Sequence, residues 1–208
     1  MDIRKQASPR RRLRVTVATA AVGAVLLAIS LRIEPGSGWF YPSTLALAMV
    51  WAVGAWLSGP LHLGRVGSER PVLPALIVGA TLASVFVVGG LVVREIGFLA
   101  DRVADVLAYA AAGSGLLLLV VTVVNGVAEE MFFRGALYDV VPHHRVLITA
   151  VAYAMVTLVT GNLMLAFAAL LLGLVVGRQR EVSGGLLAPA ITHVTWSVAM
   201  LYALPALF

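Results

Sequence analysis

Long apolar runs recur along this 208-residue chain, and they limit what it can fold into. Residues 72–93 contain no charged side chain and are long enough for a bilayer crossing, which takes about 20 apolar residues. Only 12% of the residues are charged, about half the share found in soluble domains. We therefore predict an all-α integral membrane protein, and we exclude a soluble globular enzyme, a disordered protein and a nucleic-acid binder.

The apolar runs predict about seven transmembrane helices in one chain. They lie at residues 13–31, 43–58, 72–93, 116–138, 146–160, 163–177 and 186–208. The Gly113-Ser114-Gly115 sequence is expected to break the helix before the fourth span, so that an interfacial or tilted helix precedes it. Residues 178–181 are predicted to form a charged loop. We divide the chain into a basic tail with three spans (1–102) and a core (103–208).

A basic cluster at the start of the chain predicts its orientation. Six of the 15 Lys and Arg residues lie in the first 14 residues: Arg4, Lys5, Arg10, Arg11, Arg12 and Arg14. Basic residues favour the cytoplasmic side of a membrane and contact anionic lipid, so we expect a cytoplasmic N-terminus. The abundance of Ala, Val and Gly, with arginine far more frequent than lysine, is typical of a GC-rich bacterial genome, which predicts a bacterial plasma membrane. The absence of cysteine excludes disulfides and thiolate metal sites.

Two adjacent carboxylates interrupt the fourth predicted span. Glu129 and Glu130 are followed at once by Met-Phe-Phe, so both lie in membrane-type sequence. An ionisable side chain at the centre of a spanning helix costs about 2.5–3.5 kcal/mol on the insertion scale and marks a functional-site candidate. Arg134 lies four residues after Glu130, on the same helical face, and can pair with it. The pattern leaves Glu129 free to act; the alternative is a solvated charge cluster at the cytosolic interface.

One histidine lies inside an apolar helix. His193 is surrounded by membrane-type sequence, and Ser197 follows one turn later on the same face. A lone intramembrane histidine often serves packing or hydrogen bonding. Together with an acidic pair on another helix, it favours a shared polar cavity.

These residues resemble the motifs of a known family. Glu129, Glu130 and Arg134 match the EExxxR signature of the CPBP membrane proteases, which include the CAAX prenyl endopeptidases and the bacterial Abi proteins. His193 and Ser197 look like the HxxxB motif of the same family. The resemblance covers about residues 103–207, whereas the first 100 residues match only as generic spans.

A third family motif, FxxxH, departs from its pattern in this chain. Asn162 stands where the family has histidine. An asparagine amide can hydrogen-bond a water molecule, so the resemblance implies that Asn162 positions the catalytic water, but it cannot act as a general base. The family is often described as containing metalloproteases, and a bound zinc ion would use Glu129, Glu130 and His193. Because a zinc site usually has three protein ligands, and these could supply them only in a carboxylate-rich arrangement, we favour a metal-free site.

The resemblance implies peptide-bond hydrolysis within the membrane, on a peptide or membrane-protein substrate. Glu129 would activate water as the general base, its pKa tuned by burial and by Glu130, which Arg134 would hold. His193 and Ser197 would stabilise the oxyanion. The main alternative is a non-catalytic membrane scaffold or bacteriocin-immunity protein, favoured by the missing histidine. A small transporter subunit that relays protons is a third possibility, although the chain lacks a paired repeat.

Overall fold

The structure, a computed structural model, describes residues 8–64 and 72–208, and in these ranges the chain consists of helices and their connections. The α-helices of the described residues are α1 (Pro9–Ser30), α2 (Phe40–Ser58), α3 (Val72–Val93), α4 (Gly97–Ala112), α5 (Gly115–Glu130), α6 (Tyr138–Val140), α7 (Arg145–Leu158), α8 (Leu163–Ser183) and α9 (Leu187–Ala203). A π-helical segment, Met131–Leu137, joins α5 to α6, and a 3₁₀ turn, Leu204–Ala206, follows α9. Arg4 and Lys5 of the predicted basic cluster lie outside the described residues.

Six helices in the described ranges are long and apolar enough to cross a membrane. One of them, Gly115–Val140, combines α5, the π-helical segment and α6. The predicted span at residues 146–160 corresponds to α7, which has only 14 residues. At 1.5 Å per residue α7 is about 21 Å long, shorter than the roughly 30 Å hydrocarbon core. The all-helical membrane class is confirmed, with six candidate spans where about seven were expected.

The break before the acidic pair lies where the sequence predicts it. Helix α4 ends at Ala112 and α5 begins at Gly115, and the Ser114 amide between them donates to the Tyr41 hydroxyl oxygen at 2.7 Å. None of the residues of α4 is buried. The predicted interfacial helix therefore corresponds to a separate helix on the outside of the bundle.

The predicted charged loop at residues 178–181 is wrong. Helix α8 continues through this segment to Ser183 and ends at Gly184, whose φ of +70° is the left-handed conformation that terminates helices. Arg178 is exposed and pairs with Glu181 on the helix surface. Arg180 points inward and is only 7% exposed, because it has partners inside the bundle.

Small residues allow close approach between helices, both among the N-terminal helices and between α3 and α9. A Cβ atom at Gly79 on α3 would lie 2.7 Å from the Thr195 Cβ atom on α9, and the Thr192 hydroxyl donates to the Ala75 carbonyl at 2.8 Å. A Cβ atom at Gly23 on α1 would overlap the indole of Trp51 on α2. Small residues are the usual basis of helix packing in lipid. The division into 1–102 and 103–208 stays a prediction, since both parts contribute to one packed core.

An aromatic cluster holds α2, the π-helical segment and α7 together. The ring of Trp51 lies 4.7 Å from that of Phe132 and 5.4 Å from that of Phe133. The ring of Phe133 in turn lies 4.6 Å from that of Tyr153. Trp51, Phe132 and Phe133 are at most 1% exposed. This packing fixes α7, which carries Tyr153, and the π-helical segment that directly follows the acidic pair.

Basic side chains gather at one end of the bundle, which we call the basic end. Here the start of α1, the end of α2, α6 and the end of α8 meet. The Arg12 Nε atom donates to the Ser58 carbonyl at 3.1 Å, and its guanidinium lies 3.6 Å from the Asp139 carboxylate. Asp139 also pairs with Arg180 at 3.2 Å. The acidic pair lies between this end and the break before α5.

Candidate active site

The acidic pair lies where the α-helix changes to a π-helix. Helix α5 ends at Glu130, and the π-helical segment begins with Met131. Single π-helical turns inside α-helices occur frequently at functional sites, because they change the register of the side chains. Arg134 lies within this segment, and both Glu130 and Arg134 are 0% exposed.

Glu130, Arg134 and His193 form a buried network. The Arg134 Nη1 atom donates to Glu130 Oε1 at 3.0 Å, as the i,i+4 spacing predicts, and its Nη2 atom donates to the Gly173 carbonyl at 3.1 Å. His193 Nδ1 lies 2.7 Å from the same Glu130 oxygen, across the α5–α9 contact. A buried carboxylate needs such partners, because an unpaired buried charge costs several kcal/mol. Glu130 is therefore a fixed counter-ion.

Glu129, the preceding residue, has different surroundings. Its Oε2 atom accepts a hydrogen bond from the Tyr153 hydroxyl and lies 3.9 Å from His193 Nε2. The side chain is 16% exposed, whereas that of Glu130 is fully buried. A separation of 3.9 Å is too long for a direct hydrogen bond, but one water molecule can contact both atoms. Glu129 thus remains available to a ligand.

Tyr153 was missed in the sequence analysis. It lies on α7, its side chain is 9% exposed, and its ring packs against Phe133 and under the Arg134 guanidinium, whose Cζ atom is 5.2 Å from the ring centroid. The signal that could have found it is a tyrosine within an apolar helix, since a buried tyrosine hydroxyl usually has a hydrogen-bond partner. Here that partner is Glu129.

Arg180 was also missed, and it supports the network from the basic end. Its Nε atom donates to the Arg134 carbonyl oxygen at 2.8 Å, and its Nη2 atom donates to Asp139 at 3.2 Å. Its guanidinium lies 5.1 Å from the centre of the Tyr138 ring. This arginine ties the end of α8 to the π-helical segment and so fixes the backbone that carries Arg134.

The structure does not bring the two remaining predicted residues into this network. Asn162 precedes α8: its Oδ1 atom accepts from the Met164 and Leu165 amides at 3.0 and 3.1 Å, and its Nδ2 atom donates to the Arg102 carbonyl at 2.6 Å. Among the described residues, no hydrogen bond or ion pair joins Asn162 or Ser197 to the acidic pair or to His193. Asn162 is an N-cap, a position that asparagine strongly favours.

Asn162 and Ser197 both line an apolar cavity of about 480 Å³. The cavity lies between α3, α4, α5, α8 and α9. Ser197 is one turn beyond His193 on α9, so the cavity begins next to the network. Ser197 therefore lines the cavity one helical turn from His193.

The donor set does not fit the zinc site that Glu129, Glu130 and His193 were expected to supply. Glu130 Oε1 already accepts from Arg134 and contacts His193 Nδ1, so these two partners occupy that oxygen. Glu129, the His193 Nε2 atom and the unpartnered Glu130 Oε2 atom remain as possible donors, but they are not arranged as the three protein ligands of a catalytic zinc site. Within residues 8–64 and 72–208, no group of three His, Asp or Glu side chains is arranged to hold a metal ion.

Comparison with known proteins identifies the segment that holds the network. Residues 111–199 match the family model described as Rce1-like, Type II CAAX prenyl endopeptidase Rce1-like. No curated protein and no solved structure gives a significant match to this chain. The matched segment includes the acidic pair, Arg134, Tyr153 and His193. The motifs, the buried network and the family match agree, and together they support the similarity of this segment to the CPBP intramembrane proteases.

Proposed function

We propose that this chain is an intramembrane endopeptidase that hydrolyses a peptide bond with a water molecule activated by Glu129. The observation that carries the proposal is the position of Glu129, whose Oε2 atom lies 3.9 Å from His193 Nε2 while Nδ1 of the same ring lies 2.7 Å from Glu130. One acid orients the histidine, and the other remains free beside it. General-base catalysis needs an acid that is free to take a proton from the water, and Glu129 is in that position.

The reaction proceeds through a tetrahedral intermediate. Glu129 takes a proton from the water as its oxygen attacks the carbonyl carbon. His193, which the contact between its Nδ1 atom and Glu130 holds in place, donates through Nε2 to the oxyanion. Glu129 then passes its proton to the amide nitrogen as the C–N bond breaks, which releases an amine and a carboxylic acid.

Other residues orient these two. The Tyr153 hydroxyl donates to Glu129 Oε2 and so holds the carboxylate beside His193 Nε2, where the water binds. Arg134 neutralises Glu130 and, through Gly173, anchors it to α8. Ser197 lies next to the apolar cavity, and we assign it the role of a second hydrogen-bond donor to the substrate. Asn162 caps α8 and takes no part in proton transfer.

The basic end is proposed to face the cytoplasm of a bacterial cell. Arg12 and Arg180 lie at this end, and so does Arg145, whose guanidinium lies 5.6 Å from the ring of Tyr138. An excess of Lys and Arg favours the cytoplasmic side. Helix α7 starts here, and the chain reaches the opposite end at Asn162. Although short, α7 would thus complete seven crossings.

A non-catalytic scaffold or immunity protein is the second candidate. It is favoured by Asn162, because the amide replaces the family's histidine and all its hydrogen bonds serve the start of α8 and Arg102. If the chain is a scaffold or an immunity protein, the buried network only stabilises the fold.

Cleavage by reconstituted protein separates the two candidates. Purified protein in liposomes is incubated with quenched fluorescent peptides, one carrying a prenylated CAAX terminus and one carrying an unprenylated apolar span, in water enriched in ¹⁸O. The protease predicts cleavage of at least one peptide, with ¹⁸O in the new carboxyl group. Failure to cleave either peptide by folded protein would favour the scaffold.

A further inference from the structure

Two residues next to the Glu130–Arg134–His193 network each have a buried polar atom without a hydrogen-bond partner. They are Asn125 on α5, through its Oδ1 atom, and Trp196 on α9, through its Nε1 atom, and both atoms are fully shielded within the described part of the chain. Within the network, Glu130 Oε2 and Arg134 Nε also lack a partner. The other end of the Asn125 amide is satisfied, since Nδ2 donates to the Val121 carbonyl at 2.9 Å. A buried polar atom without a partner costs about 1–3 kcal/mol, so each one calls for an explanation.

Both residues lie one helical turn from a proposed catalytic group. Asn125 precedes Glu129 by four residues, which places the two on one face of α5. Trp196 follows His193 by three residues on α9, and the two rings lie 6.3 Å apart, centre to centre. One unpartnered atom is an acceptor and the other is a donor.

The two helices also carry the walls of the apolar cavity. Helix α5 contributes Leu118, Val121 and Thr122, and α9 contributes Trp196, Ser197 and Met200. Asn125 comes next after Val121 and Thr122 on α5, on the side towards Glu129. Trp196 therefore lines the cavity, and Asn125 lies on α5 between the cavity-lining Val121 and Glu129, one turn from each.

We propose that Asn125 and Trp196 are positioning residues that bind the peptide backbone of the substrate beside the scissile bond. Once the side chains of Asn125 and Trp196 turn towards the cavity, Asn125 Oδ1 accepts from a substrate N–H group and Trp196 Nε1 donates to a substrate carbonyl, while apolar substrate side chains occupy the cavity. This inference rests on the proposed protease function and defines the form of its substrate.

The Asn125 acceptor and the Trp196 donor together favour a peptide in an extended conformation. An acyl or prenyl chain is apolar throughout and offers neither a donor nor an acceptor to these atoms. A peptide offers both at every residue, but in an α-helix its N–H and carbonyl groups are already bonded to each other. The substrate segment at the site is thus locally extended or unwound.

Binding to a protein that cannot cleave tests this inference separately from the protease function. The background is Glu129→Gln in liposomes, and the probe is a fluorescently labelled peptide with one apolar span of about 20 residues. Asn125→Leu removes the acceptor at similar volume, and Trp196→Phe removes the donor but keeps an aromatic ring. Trp39→Phe is the control, since Trp39 is 76% exposed.

Each substitution is expected to weaken peptide binding about three- to tenfold, the equivalent of one neutral hydrogen bond. Asn125→Leu should leave the Tm unchanged or raised, because it removes an unsatisfied buried polar atom. A probe whose nearest peptide bond is replaced by an ester, which lacks the N–H, should bind the Asn125→Leu variant as tightly as the parent probe does. Unchanged binding in both variants, no saturable binding at all, or a lower Tm for Asn125→Leu would overturn the inference. Loss of cleavage by the wild-type protein would contradict only the protease function.

Discussion

His193 Nδ1 lies 2.7 Å from Glu130 Oε1, so a carboxylate on α5 fixes the imidazole on α9. The same oxygen accepts from Arg134 at 3.0 Å. The neighbouring Glu129 has no such cation at hydrogen-bond distance among the described residues, only the Tyr153 hydroxyl. Two adjacent, chemically identical residues therefore have separate roles, and isosteric substitutions can tell them apart.

Glu130→Gln is expected to destabilise the protein strongly. The substitution removes the negative charge but leaves the fully buried Arg134 in place, and an uncompensated buried charge costs about 3–5 kcal/mol. Chemical denaturation in detergent, followed by circular dichroism, measures the effect. The control is Glu95→Gln, because Glu95 is 71% exposed and pairs only with exposed Arg94. Equal stability of the two variants would contradict the structural role of Glu130.

Tyr153→Phe is expected to lower the cleavage rate about tenfold, because Glu129 loses the hydroxyl that orients it. Tenfold corresponds to about 1.4 kcal/mol, close to the lower limit of about 1.5 kcal/mol for a hydrogen bond to a charged group. The ring packing against Phe133 is kept, so the fold should persist. Tyr41→Phe is the matched control, since it removes a hydroxyl that accepts from the Ser114 amide at 2.7 Å, away from the acidic pair and from the cavity. A similar loss of rate in both variants would contradict the proposed role of Tyr153 in orienting Glu129.

His193→Asn distinguishes the roles of the two ring nitrogens of the histidine. An asparagine Nδ2 atom can take the place of His193 Nδ1 beside Glu130, but nothing replaces Nε2. We expect folded protein whose kcat is lower by about 10²–10³, the usual effect of a lost oxyanion donor. Steady-state kinetics on the reconstituted variant measure it. Retention of full kcat would show that Nε2 is not required.

Asn162→Ala is expected to reduce stability by about 1 kcal/mol through loss of the α8 cap. Asn162→Ser keeps a capping oxygen and should recover part of this loss. Neither variant should change the catalytic rate by more than the loss of folded protein explains, because the Asn162 amide is bonded to Arg102 and to the first turn of α8. A rate that falls in both variants while the Tm is preserved would instead support a water-positioning role.

Most of the fold follows from hydropathy, because a bilayer demands long apolar helices. The break between α4 and α5 was predicted from Gly113 and Ser114, and the family was predicted from the acidic pair and Arg134. The seventh span stays a prediction, because α7 ends at Leu158 after 14 residues and apolar length alone does not show where a helix ends. The continuation of α8 past Arg178 was missed, because a charged run resembles a loop unless the partners of Arg180 are known.

The site was predicted in part, for a physical reason. Glu129 and His193 were identifiable because charge and imidazole are costly in lipid. Tyr153 was not, because a tyrosine fits an apolar helix without penalty once its hydroxyl has a partner. Asn162 was placed by analogy to a motif, but the sequence could not show that the start of α8 and Arg102 use all its hydrogen bonds.

The most direct test of the central claim is the cleavage rate of the Glu129→Gln variant in liposomes, beside wild type and the Glu95→Gln control. Glutamine keeps the shape of the side chain and can still accept from Tyr153, but it cannot take a proton from water. The account predicts that wild type and the control cleave the peptide, and that Glu129→Gln is folded, with an unchanged Tm, but inactive. Cleavage by Glu129→Gln at the wild-type rate would contradict it.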